Sequence, residues 1–166
     1  ANTFLFAKGA QMGNSLYEPN LKETANDILT YSKQKNCNIL LPIDIVTARK
    51  LEQNTQTNTS NHDECPADQM ILDVGQKSIE LFKKAINSSK TILWNGPLGA
   101  FEIKPFDNST NLLAKFTGKN TMQEKCISVA GGGDTVSALN SVKVTQQFSY
   151  VSSAGGAFLE LSLIHI

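Results

Sequence analysis

The residues best suited to chemistry in this sequence stand in three short turns, each following an apolar run. They are Trp94-Asn95-Gly96-Pro97, Ala130-Gly131-Gly132-Gly133-Asp134-Thr135 and Ser152-Ser153-Ala154-Gly155-Gly156. Glycine lets a backbone approach a ligand closely, and the free N–H groups at a helix start attract phosphate oxygens. Asp134, directly after the triple glycine, can serve as a helix cap, as a ligand of a hard cation such as Mg²⁺, or as both. Thr135 adds a hydroxyl at a reach that suits a phosphate. These types predict a phosphate-bearing ligand with a cation held by Asp134. Any one of the turns alone also fits simple close packing of a helix on a sheet. Their threefold recurrence, one of them with a Gly-Gly-Gly-Asp-Thr run, is what points to a site.

The spacing narrows the ligand no further than a nucleotide or phosphate. No Lys follows the glycines, so the run is not a P-loop, and Val136 stands where the dinucleotide fingerprint needs Gly or Ala. Glu102, just past the Asn95-Gly96-Pro97 turn, is placed where a carboxylate could take a ribose hydroxyl, although by itself it reads as a surface Glu. Trp94 ends an apolar strand and reads as core. Lys83 and Lys84 fit a solvated face. His62 and Cys65 have ligand-like spacing but lie in a polar loop with no second pair, which fits an ordinary loop better than a metal site. His165 is the only other histidine, which argues against a histidine-based triad.

Positioning such turns on one edge requires parallel strands, and the chain alternates accordingly. Apolar residues at Leu21, Ala25, Ile28 and Leu29 predict a helix over Leu21–Lys35 with that face buried. Asn38–Pro42 reads as a short buried strand, and Ile43–Ala48 continues extended. Gln53–Glu64 has no apolar residue and reads as a surface loop. Ile79, Phe82, Ala85 and Ile86 share one helical face, followed by a strand at Thr91–Trp94. Asn108 or Ser109 can cap a helix bearing Leu112, Leu113 and Phe116, with Gly118 as its stop. Strands at Cys126–Ala130 and Phe148–Ser152 complete the pattern, with a short helix opened by the triple glycine. The predicted class is α/β, a three-layer, doubly wound, mostly parallel and Rossmann-like sheet whose carboxyl edge carries the turns.

Composition sets the outer bounds. The chain has 166 residues, 40% hydrophobic and 18% charged, with 15 basic residues balanced by 15 acidic ones. That is ordinary globular usage, with a length suited to one domain. Zero formal net charge argues against a general nucleic-acid surface, and no apolar run approaches the roughly 20 residues a membrane helix needs. The three cysteines, Cys37, Cys65 and Cys126, form no CxxC pair and fit a reducing, cytoplasmic setting. With no initiator Met and no signal pattern, the chain is expected to be a fragment of a soluble protein.

Longer stretches carry a resemblance. Thr91-Ile92-Leu93-Trp94-Asn95-Gly96-Pro97-Leu98-Gly99-Ala100-Phe101-Glu102 closely resembles a signature of the phosphoglycerate kinases, as do Ala130–Thr135 and Leu41-Pro42-Ile43-Asp44-Ile45-Val46. Ala1-Asn2-Thr3-Phe4-Leu5 is similar to the helix start that follows a glycine-rich strand in that family. The resemblance runs in order from Ala1 to about Glu160 and implies residues 1–160 to be part of the family's C-terminal, nucleotide-binding domain. It implies transfer of a phosphoryl group between ATP and 3-phosphoglycerate in glycolysis, by a cytoplasmic enzyme that is a monomer. It also implies roles. Asp134 would hold the Mg²⁺ of the nucleotide, and Thr135 would contact the phosphates. Gly132 and Gly133 would offer them backbone N–H groups. Glu102 would bind the ribose, and Asn95 and Pro97 would line the nucleotide cleft. Gly155 and Gly156 would begin the helix that faces the transferred phosphoryl group, the catalytic position.

The same resemblance marks departures. The last turn usually reads Ser-Thr-Gly-Gly-Gly, and Ala154 here replaces a glycine, which weakens the role implied for that turn. The family's Gly-Gly-Ala-Lys segment and its basic 3-phosphoglycerate domain are absent from the sequence, along with two strands expected at the sheet centre. The chain alone is therefore expected to be inactive and weakly folded. Leu161-Ser162-Leu163-Ile164-His165-Ile166 matches what a common sequencing adapter encodes, so 161–166 is expected to be a non-native tail. A non-catalytic nucleotide-binding module on the same fold is the alternative reading. A nicotinamide-linked oxidoreductase lacks its fingerprint.

Overall fold

The computed structural model of the chain describes residues 1–152. They form two compact units, one of Ala1–Ser78 with Ile103–Phe106, the other of Ile79–Glu102 with the residues from 107 onward.

In the first unit, helix α1 (Asn2–Ala7) buries Leu5 and Ala7, and Leu5 joins Ala10 and Met12 in a cluster flanked by Phe6, Tyr17, Leu41 and Ile71. Helix α2 (Lys22–Gln34) forms as its periodicity predicts, but its apolar face is not buried as expected. Ala25 is buried, Leu29 half-buried, and Leu21 and Ile28 stay exposed. The helix partner of α2 in this unit is the short α1, which covers only part of that face.

Strand β1 (Asp44–Ala48) lies between β2 (Asn58–Asn61) and β3 (Met70–Val74), antiparallel to both. Two expectations are corrected here. Asn38–Pro42 is not a strand: Pro42 has no N–H to give, and the Ile43 and Asp44 amides go to Ser78 Oγ at 2.9 and 3.0 Å. The polar run Gln53–Glu64 is not wholly loop, because its Asn58–Asn61 stretch pairs with β1. It is mostly exposed, and a solvent-facing edge strand has no need of apolar side chains.

Helix α3 (Gln76–Ser88) begins in the first unit and continues in the second. Its entry is fixed by the buried Asp44, whose carboxylate accepts from the Lys77 and Ser78 amides at 2.9 and 2.7 Å and from Ser78 Oγ at 2.5 Å. Gly75 leaves room for that carboxylate, which a Cβ would overlap.

The second unit holds a parallel sheet in the order β4 (Thr91–Asn95), β5 (Ile127–Gly131), β6 (Tyr150–Ser152), with α4 (Asn108–Met122) and α5 (Gly133–Ser141) between successive strands. This is the predicted α/β alternation. One sheet face buries Trp94, Ser128 and Ala130, while the alternating Leu93, Ile127 and Tyr150 are exposed. Gly118 does not stop α4, which runs on to Met122. Gly118 is buried instead where Gln147 passes close, a Cβ there standing 3.0 Å from the Gln147 Cβ. Asp107 takes the N-cap place expected of Asn108 or Ser109, its carboxylate accepting from Asn111 Nδ2 at 2.7 Å. Among the described residues no helix is long and apolar enough to cross a membrane.

Candidate nucleotide site

The three parallel strands end in one row. Asn95 pairs with Gly131, and Gly131 with Ser152, so the turns after β4 and β5 open side by side from the same sheet edge. The third predicted turn, with Gly155 and Gly156, lies outside the described residues, as does the tail at 161–166.

In the turn after β4, Gly96 has φ +93°, a region that L side chains avoid, and no atom crowds its Cβ position. Backbone conformation, not space, requires the glycine. Side chains hold its peptide groups on both sides. The Gly96 N–H donates to Thr135 Oγ1 at 2.8 Å, and its carbonyl accepts from Trp94 Nε1 at 2.8 Å. Beyond Pro97, the Leu98 N–H donates to Thr110 Oγ1 at 2.9 Å, and that hydroxyl donates back to the Leu98 carbonyl at 2.6 Å. Proline has no N–H, so Gly96–Leu98 keeps no free amide donor. This turn can face a ligand with the exposed Asn95 and the half-buried Pro97, but it cannot cradle phosphate.

The turn after β5 is the opposite case. Gly132, at φ +98° and ψ 142°, is the N-cap of α5, and its carbonyl accepts the first helical bond from Val136 at 3.0 Å. No side chain caps this end, so the amides of the first turn are the unsatisfied donors that attract anions. Gly133 has open space around its Cβ position. Asp134, in that first turn, is exposed and forms no ion pair among the described residues. A single free carboxylate suits Mg²⁺, which keeps several waters and completes its shell with substrate phosphates. No group of three His, Cys, Asp or Glu that could cage a metal occurs among the described residues.

Asn95, Gly132 and Thr135 converge: a methyl at Gly132 would lie 3.5 Å from Asn95 Oδ1 and 3.6 Å from Thr135 Oγ1. Thr135 is 1% exposed, and its hydroxyl has accepted the Gly96 amide, leaving its own proton to donate. Glu102 is exposed in the segment between β4 and α4, and no hydrogen bond ties it to the other site residues. Trp94 is core, as read, edge-on to Phe148 with ring centroids 6.2 Å apart, yet its indole N–H also serves the turn. Sequence reasoning missed Thr110 altogether, since a threonine in the first turn of a helix gives no signal of a partner 12 residues earlier. His62 and Cys65 do not form a pair of ligands. The His62 Nδ1 faces the Ile43 carbonyl at 3.4 Å, and the Cys65 thiol donates to the Gln69 carbonyl at 3.6 Å.

A family model described as phosphoglycerate kinase matches residues 1–162. Curated relatives named phosphoglycerate kinase, from Chelativorans sp. (strain BNC1) and Methylorubrum extorquens (strain PA1), are each 52% identical over 160 residues, covering 96% of this chain and 40% of the relative. The solved structure of phosphoglycerate kinase from Coxiella burnetii superposes with a TM-score of 0.91 at 39% identity, over 96% of this chain and 40% of that one. Phosphoglycerate kinase from Pyrococcus horikoshii OT3, at 22% identity and a TM-score of 0.77, shares the fold. The chain spans about 40% of the length of these relatives. The α/β architecture is thus the Rossmann-like one that the strand–helix alternation predicts.

Proposed function

Because the chain belongs to the phosphoglycerate kinase family, we propose that residues 1–160 are part of a C-terminal nucleotide-binding domain that takes ATP or ADP with Mg²⁺. The whole enzyme then transfers a phosphoryl group between ATP and 3-phosphoglycerate, giving ADP and 1,3-bisphosphoglycerate. The observation that carries this reading is the Asn95–Gly131 pairing, which sets an uncapped helix start with an exposed carboxylate beside a turn that has no free amide. The two turns divide the work. Free N–H groups at Gly133 and Asp134 receive phosphate oxygens, while Asn95 and Pro97 wall the cleft.

Phosphoryl transfer depends on positioning and charge stabilisation more than on a protein nucleophile. Glycines and one carboxylate therefore suffice on this side of the reaction. Asp134 would hold Mg²⁺, which when bound neutralises charge on the phosphate oxygens. Gly132 keeps the α5 amides open to the phosphates, and Thr135 has a hydroxyl proton to donate. Glu102 is assigned the ribose, and Gly155 and Gly156 the approach to the transferred phosphoryl group. The acceptor, 3-phosphoglycerate, is assigned to the other domain of a cytoplasmic, monomeric enzyme, so this segment alone is not expected to turn over.

Calorimetric titration of the full chain with ADP, with and without Mg²⁺, tests the reading. Saturable MgADP binding that Gly133→Val abolishes is expected. No binding under either condition would refute the nucleotide site.

A further inference from the structure

Thr110 lies fully buried in the first turn of α4, and its hydroxyl spends itself on one residue, accepting from the Leu98 N–H at 2.9 Å and donating to the Leu98 carbonyl at 2.6 Å. Across Pro97, the Gly96 carbonyl is taken by Trp94 Nε1 at 2.8 Å. The two peptide units flanking Pro97 are therefore held by side chains that sit behind the turn: Thr110 is 0% and Trp94 9% exposed. A turn with Gly96 at φ +93° has no regular secondary structure to keep it in place. Without these bonds, its orientation would rest on the Thr135 contact alone.

We propose that Thr110 and Trp94 are positioning residues of the nucleotide site: they touch no ligand, and they fix the Asn95–Pro97 wall against the α5 amides. The proposal rests on the nucleotide reading and goes beyond it by assigning binding strength to two buried residues outside the cleft. Neither Gly96 nor Leu98 can serve as a phosphate donor, since the Gly96 amide is committed to Thr135 and the Leu98 amide to Thr110. Holding the wall in its bound geometry before the ligand arrives removes an ordering cost from binding.

Thr110→Val keeps shape and burial while removing both bonds, Thr110→Ser keeps the hydroxyl, and Trp94→Phe removes the indole donor. Leu113→Ala, a cavity at a buried position on the same helix, controls for loss of stability. MgADP affinity is measured by calorimetry on the full chain, and exchange of the Leu98 amide by NMR. Thr110→Val is expected to weaken MgADP about tenfold and to speed Leu98 exchange. Thr110→Ser should restore both, Trp94→Phe should weaken binding several-fold, and Leu113→Ala should lower the melting temperature without changing affinity. Wild-type affinity in Thr110→Val with faster Leu98 exchange would overturn the positioning role. So would an equal loss of affinity in Leu113→Ala. If Thr110→Val does not fold, Trp94→Phe with wild-type affinity overturns it alone. Failure of the wild-type chain itself to bind MgADP would sink the nucleotide reading, and this inference with it.

Discussion

Thr135, in the first turn of α5, accepts a hydrogen bond at 2.8 Å from the amide of Gly96, 39 residues earlier in the chain. The bond joins the turn after β4 to the helix start after β5. The segment that walls the cleft and the segment that offers free amides are thereby held in one geometry. Thr135→Val leaves the Gly96 N–H without its partner and should cost about 1 kcal/mol in stability. It should also weaken MgADP binding about tenfold, and Thr135→Ser should recover most of both. Thermal melts and calorimetry on the three proteins check this.

Asp134→Asn keeps the size of an exposed side chain that makes no ion pair among the described residues, but offers Mg²⁺ a neutral amide oxygen in place of a carboxylate. MgADP affinity should fall, Mg²⁺-free ADP affinity should stay the same, and the melting temperature should barely move. In the whole enzyme, turnover should drop sharply at limiting Mg²⁺. Unchanged turnover there would exclude Asp134 as the metal-facing residue.

Gly75→Ala should destabilise the first unit by about 2 kcal/mol, because the new methyl would overlap the Asp44 carboxylate that caps α3. Asp44→Ala should cost about as much, by stripping the Lys77 and Ser78 amides of their acceptor. The two losses should not add in the double variant, since both act through the same cap. Urea unfolding of the single and double variants measures this.

Burial pushes the Cys65 thiol above its ordinary pKa of 9.0, and the Ser15 hydroxyl offsets that shift only in part. The folded-state pKa therefore lies above the unfolded one. The contribution of Cys65 to stability is full below pH 9.0 and is lost as pH rises through the folded value. Unfolding free energy should decline on the alkaline side, less so in Cys65→Ala. A thiol reagent at pH 8 should label the exposed Cys37 first and reach Cys65 and Cys126 only on unfolding.

Local chemistry was legible without a fold. The 3.6-residue spacing of Ile79, Phe82, Ala85 and Ile86, the apolar runs of β4 and β5, and the glycines that end them each encode their own conformation within a few residues. Together they imply parallel strands with turns on one edge. Long-range partners decided the rest. Nothing near Asn58–Asn61 announces a strand, because an edge strand in water takes its order from β1 and not from apolar side chains of its own. Gly118 reads as a helix stop, yet it is a place for Gln147 to pass. Asp44 and Ser78, Gly96 and Thr135, Leu98 and Thr110 each meet only after the chain has closed on itself. A hydroxyl or carboxylate has no hydrogen-bond partner written into its neighbours, and only tertiary structure assigns one.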